Sequence, residues 1–151
     1  SEWQLTVSSN PLSTAQMGET ASFTELFVNG DLNIQQVVEK LNTSNQSSDI
    51  EYDFNLGGVW YHDDLTTDFN ASFINVPTTS NIAISSNIII SQSGTAYIPT
   101  SLSINGDLQT IKWVGGTPPS GNPNQVDIIG FTFINYGGSF VQVMGQLSSF
   151  A

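Results

Sequence analysis

From Ile50 to Leu147 the chain is a succession of short apolar runs, and turn residues interrupt them about every 8–12 positions. That spacing limits the fold more than any other feature. Tyr52 and Phe54 alternate with Asp53 and Asn55, and after Gly57-Gly58 the residues Val59 and Tyr61 face one side with Trp60 on the other. Phe69, Ala71 and Phe73 alternate as far as Val76-Pro77. Ile82 and Ile84 lead into Ile88-Ile89-Ile90, Tyr97-Ile98 follows, and Leu102 and Ile104 run into Asn105-Gly106. Asn-Gly suits the positive φ of a tight hairpin. The turn Lys112-Trp113-Val114-Gly115-Gly116-Thr117-Pro118-Pro119 precedes two closing runs, Val126 to Asn135 and Ser139 to Leu147, joined at Tyr136-Gly137-Gly138. A period of two marks half-buried strands. The expectation is a mainly β head, an antiparallel β-sandwich over residues 49–151.

Ahead of it, Ile34, Val37, Val38 and Leu41 recur at i, i+3, i+4 and i+7, which predicts a short helix over Asp31–Leu41 capped by Asp31 or Asn33. The polar stretch Ser44–Asp49 is the expected boundary, so residues 1–48 form an N-terminal arm plus helix. Trp3, Leu5, Phe23 and Phe27 are too few to build a core of their own. Together with the helix stripe Ile34, Val37, Val38 and Leu41 they are the candidate assembly interface.

Charge removes whole classes of function. Lys40 and Lys112 are the only basic residues against 13 acids, giving a net charge of -11. Such a chain has almost nothing with which to neutralise phosphates, so nucleic acid is not an expected partner. With no cysteine there is neither a disulfide framework nor a thiolate metal site. No apolar run reaches the roughly 18 residues of a membrane span, so membrane insertion is not expected. His62 is the only histidine, and no Gly-x-Ser-x-Gly elbow accompanies it, so no catalytic residue is assigned. Asp63, Asp64 and Asp68 offer hard oxygens that could attract calcium, but without an EF-hand pattern they read as a solvated acidic loop, and no cofactor is assigned. Trp60, Tyr61, Trp113 and Tyr136 are the candidate ligand-facing aromatics, since sugar binding uses aromatic faces beside amides. Aromatics on strands more commonly fill a core or a subunit interface.

Several segments recur in one order: Glu39-Lys40-Leu41-Asn42-Thr43, Phe73-Ile74-Asn75-Val76-Pro77-Thr78-Thr79 and Ser103-Ile104-Asn105-Gly106-Asp107-Leu108-Gln109-Thr110-Ile111-Lys112-Trp113. Gly115-Gly116-Thr117-Pro118-Pro119-Ser120-Gly121-Asn122 and Val126-Asp127-Ile128-Ile129-Gly130-Phe131-Thr132 complete the set. Over Leu32 to Ala151 the chain resembles virion structural proteins of tailed phages, nearest to appendage or fibre-type proteins of marine cyanophages. The resemblance implies a β-rich, trimeric head displayed on a virion surface. The short stretch ahead of the expected helix favours a capsid decoration protein, knob or short appendage over a long fibre. The partners so implied are sister chains and other virion proteins. The alternative is a tail-fibre or spike protein that binds a host surface glycan.

Overall fold

The computed structural model describes residues 29–44, 47–137 and 139–151. The chain divides into two compact units, Ser1–Val37 and Val38–Ala151. The second unit is mainly β and carries ten strands in two mixed sheets. They are β1 (Leu41–Thr43), β2 (Asp49–Asp53), β3 (Val59–His62), β4 (Phe69–Ile74), β5 (Ile82–Ser91), β6 (Pro99–Ile104), β7 (Asp107–Gln109), β8 (Ile111–Trp113), β9 (Val126–Tyr136) and β10 (Ser139–Phe150). The larger sheet has the order β1-β3-β5-β9-β10-β8, the smaller β2-β4-β6-β7.

The expectation of antiparallel sheets is corrected. β1, β3 and β5 pair in parallel, as do β2, β4 and β6. The cause is the route of the chain. From β1 to β6 each strand lies in the opposite sheet from its predecessor, so every return to a sheet runs in the same direction. Parallel neighbours need a long crossover, usually a helix; here a strand of the other sheet serves. Antiparallel pairing appears only where tight turns reverse the chain, at β6–β7 and β9–β10, and where β9 lies against β5.

The helix expected over Asp31–Leu41 is not formed. Residues 31–40 have no regular structure and Leu41 opens β1, paired with Val59. Three β-branched residues in the stripe weaken its helical preference. A helix this short also depends on burying its apolar face, yet Ile34, Val37, Val38 and Leu41 are all exposed. The remaining interface candidates, Trp3, Leu5, Phe23 and Phe27, lie outside the described residues.

Alternation within the strands builds the core. β9 buries Asp127, Ile129, Phe131, Phe133 and Asn135 and turns the residues between them outward. β4 likewise buries Phe69, Ala71 and Phe73. Side chains from the two sheets meet at Tyr52–Trp60, with ring centroids 5.1 Å apart, and at Phe73–Phe133, 5.0 Å apart. Edge-to-face packing of this kind is favoured by the aromatic quadrupole. The β3–β5 junction is held at the Gly58 carbonyl, which accepts from the Ser86 hydroxyl at 2.9 Å and the Asn87 amide at 2.8 Å.

Amide side chains fasten the turns. Asn42 Nδ2 donates to the carbonyls of Lys40, Leu56 and Val59. Asn105, at φ 50° in the Asn-Gly turn, makes a reciprocal pair with Val76, donating to its carbonyl and accepting from its N–H, both at 3.0 Å. Asn tolerates the left-handed region where Ala does not. Asn105→Ala therefore loses two hydrogen bonds and gains backbone strain, an expected cost of about 2 kcal/mol. Urea unfolding should show this as a lower midpoint with an unchanged m value.

Candidate functional site

Two clusters bring buried polar groups together, while Asn135 is buried on β9 with neither side-chain amide atom paired among the described residues. In the first, Tyr52 and His62 are fully buried and their side chains meet at 2.9 Å between the phenol oxygen and Nε2. His62 Nδ1 has no partner among the described residues. With the phenol donating to a neutral imidazole, only the Nδ1–H is left unsatisfied. The reverse arrangement would strand both the phenol hydrogen and Nδ1, so the first is assigned. Burial pushes the Tyr52 phenol far above its ordinary value of 10.0. Burial also lowers His62 from its ordinary value of 6.5, outweighing the opposing pull of Asp64 and Asp63.

A pH dependence follows. Above 6.5 the imidazole is neutral in both folded and unfolded chains. Below it the unfolded chain binds a proton that the folded chain resists, so stability falls with pH. The slope from this one group is at most about 1.4 kcal/mol per pH unit. Melting temperatures of the wild type should decline from pH 7 to 5 more steeply than those of His62→Phe. Equal slopes would mean that His62 titrates normally in the fold.

In the second cluster the Asp127 carboxylate is completely buried. Its Oδ2 accepts from Gln92 Nε2 at 3.0 Å and from the Asn122 N–H at 2.9 Å, while Oδ1 accepts from Asn122 Nδ2 at 2.9 Å. Gln92 also clasps the backbone of Tyr97, donating to its carbonyl and accepting from its N–H. Gly121 sits so close that a Cβ there would lie 2.8 Å from the Ala96 Cβ. The carboxylate thus latches the 92–97 and 117–125 loops onto β9. Asp127 was recoverable from sequence, because it lies in phase with Ile129, Phe131 and Phe133; its partners on two loops were not.

The outward face of the larger sheet carries a depression of about 770 Å³. Strand register places its floor in rows. Ser85, Thr132, Met144 and Lys112 lie side by side across β5, β9, β10 and β8. In the next row Gly130 stands between Asn87 and Gln146. Ile128 and Ser148 follow. No carboxylate lines the depression, and one of the chain's two basic residues does.

The candidate aromatics are not gathered in one place. Trp60 is buried in the core, and Tyr61 lies on the opposite face of β3. Trp113 is half-buried near Phe131 and lies over Gly145, where a Cβ would come within 2.7 Å of the indole. It also borders the outer depression. Tyr136 is exposed at the β9–β10 turn. Asp68 accepts from the Ile98 N–H at 3.0 Å, while Asp63 and Asp64 are exposed. Among the described residues no three His, Asp or Glu side chains are placed to hold a metal ion. Of the four candidate aromatics Trp113 alone borders the depression, whose other lining residues are brought together by register across four strands and carry no signal in the sequence.

No family model, curated protein or solved structure matches the chain.

Proposed function

We propose that the chain is a non-enzymatic structural protein of a tailed-phage virion, displayed on the particle surface as a homotrimeric capsid decoration protein or short appendage. Its two sheets form a sandwich-like head. The observation that carries the reading is how the buried chemistry is used. Asp127 is saturated by three donors that hold loops. His62 is turned into the core against Tyr52. Groups held this way stabilise a rigid module, and reactive sites instead keep titratable groups open to substrate. The surface suits display in solution, being acidic and rich in amides.

Two measurements test this. Native mass spectrometry of the purified chain should give three copies, and a monomer at all concentrations would sink the trimer. Deletion from the phage should leave adsorption intact and lower particle resistance to heat and low salt. Antibody labelling should then show many copies over the capsid, whereas a few at the tail tip would refute decoration.

A second reading, receptor binding at a host glycan, is favoured by the depression beside Trp113, where amide and hydroxyl side chains lie among apolar ones. It predicts that the wild-type chain is retained on isolated host envelope.

A further inference from the structure

Gly130 occupies the middle of β9 with ordinary negative-φ strand backbone, so its conformation does not call for glycine. Its missing side chain provides space. It points to the outer face, and a Cβ built there would meet Asn87 Oδ1 at 3.3 Å. The absence of that side chain leaves a hollow between two amides. Several amides elsewhere are committed internally, as at Asn42, Gln92, Asn105 and Asn122. By contrast the side chains of Ser85, Asn87, Lys112, Thr132, Gln146 and Ser148 make no hydrogen bond to another described residue, although all line the hollow.

Resting on the receptor-binding reading, we propose that this hollow is a saccharide subsite centred on Gly130. A sugar ring presents hydroxyls that both donate and accept, which is what amide and hydroxyl side chains answer in kind. Asn87 and Gln146 stand on either side to do so, and Ser85 and Thr132 border the same edge. Ile128 and Met144 supply apolar surface for the C–H face of the ring. The volume, about 770 Å³, is within the usual range for small-ligand sites. With Lys112 present and no carboxylate in the lining, a uronic acid is admitted as well as a neutral sugar.

The test is amide-shift mapping of the 15N-labelled full chain with maltotriose, N,N′-diacetylchitobiose and a galacturonate disaccharide. At least one should shift the Gly130, Thr132 and Gln146 amides. Gly130→Val fills the hollow with a residue that suits strands, and should weaken that binding about tenfold or more. The double variant Asn87→Ala with Gln146→Ala should weaken it without adding bulk, and serves if Gly130→Val misfolds. Shifts confined to other residues, no shift with any of the three probes, or probe-free shifts of the same amides that grow with protein concentration would each overturn the subsite. Envelope retention separates the two ideas. Wild type and Gly130→Val retained equally removes the subsite and keeps receptor binding, while a wild type that shifts with sugar but is not retained keeps the subsite and removes that reading.

Discussion

Phe73→Ala should cost about 3–5 kcal/mol and lower the melting temperature more than any other single substitution considered. Phe73 is fully buried on β4. Its ring stacks on Tyr52 at 5.1 Å, meets Phe133 edge-on at 5.0 Å, and reaches Phe54 at 5.8 Å and Phe131 at 5.9 Å. Truncation removes transfer energy and leaves a hole that two sheets tied by hydrogen-bonded ladders cannot close. A domain of this size has about 5–15 kcal/mol in total, so the variant should sit near its threshold. Phe73→Leu keeps most of the volume and should lose markedly less. Chemical denaturation of the three proteins checks the order. Equal midpoints for wild type and Phe73→Ala would mean the two sheets do not share this core.

Asp127→Ala should be the second most damaging change, through hydrogen bonding and not volume. It removes three hydrogen bonds to a buried carboxylate, leaving the partly buried Asn122 N–H and Nδ2 without this acceptor and Gln92 Nε2 with only the Tyr97 carbonyl. Each unsatisfied buried donor costs about 1–3 kcal/mol, and partial relaxation of the loops brings the expected total to about 3–4 kcal/mol. Asp127→Asn rescues little, because its own NH₂ must then face one of those donors. The distinguishing readout is local. Hydrogen exchange should accelerate in the 92–97 and 117–125 loops beyond the rise expected from global destabilisation. Acceleration spread uniformly would show that Asp127 acts as generic core and not as a latch.

The strands themselves were largely legible, because period-two alternation is written in single residues. Phe69, Ala71 and Phe73 face inward, and Trp60 points opposite to Val59 and Tyr61, as their spacing implies. Asn105-Gly106 does turn the chain between β6 and β7. What alternation does not encode is the direction of a strand's neighbour. A parallel and an antiparallel partner ask for the same inward residues, so the crossing of the chain between sheets from β1 to β6 left no mark. The stripe from Ile34 to Leu41 misled for the opposite reason: it fits a helical period, but an apolar period stabilises a helix only when something covers it. The polar sites failed a third way. Tyr52 and His62 come from different sheets, and Asp127 draws on two loops, so their meetings depend on distances that sequence spacing does not contain.

The double acceptor at the Gly58 carbonyl has a further role in selecting one alignment out of two. Ile88-Ile89-Ile90 offers an isoleucine to the core in either phase, but a one-residue slide along β3 would exchange the buried Ile88 and Ile90 for Ile89 alone. Upstream, the same slide would bring Ser85 and Asn87 inside and expel Ile84 and Ser86. Ser86 is buried, and its hydroxyl finds the Gly58 carbonyl only in the native alignment. Ser86 thus adds a polar check to the β3–β5 alignment that the isoleucines already favour, and Ser86→Ala should raise the share of misaligned, slowly refolding molecules.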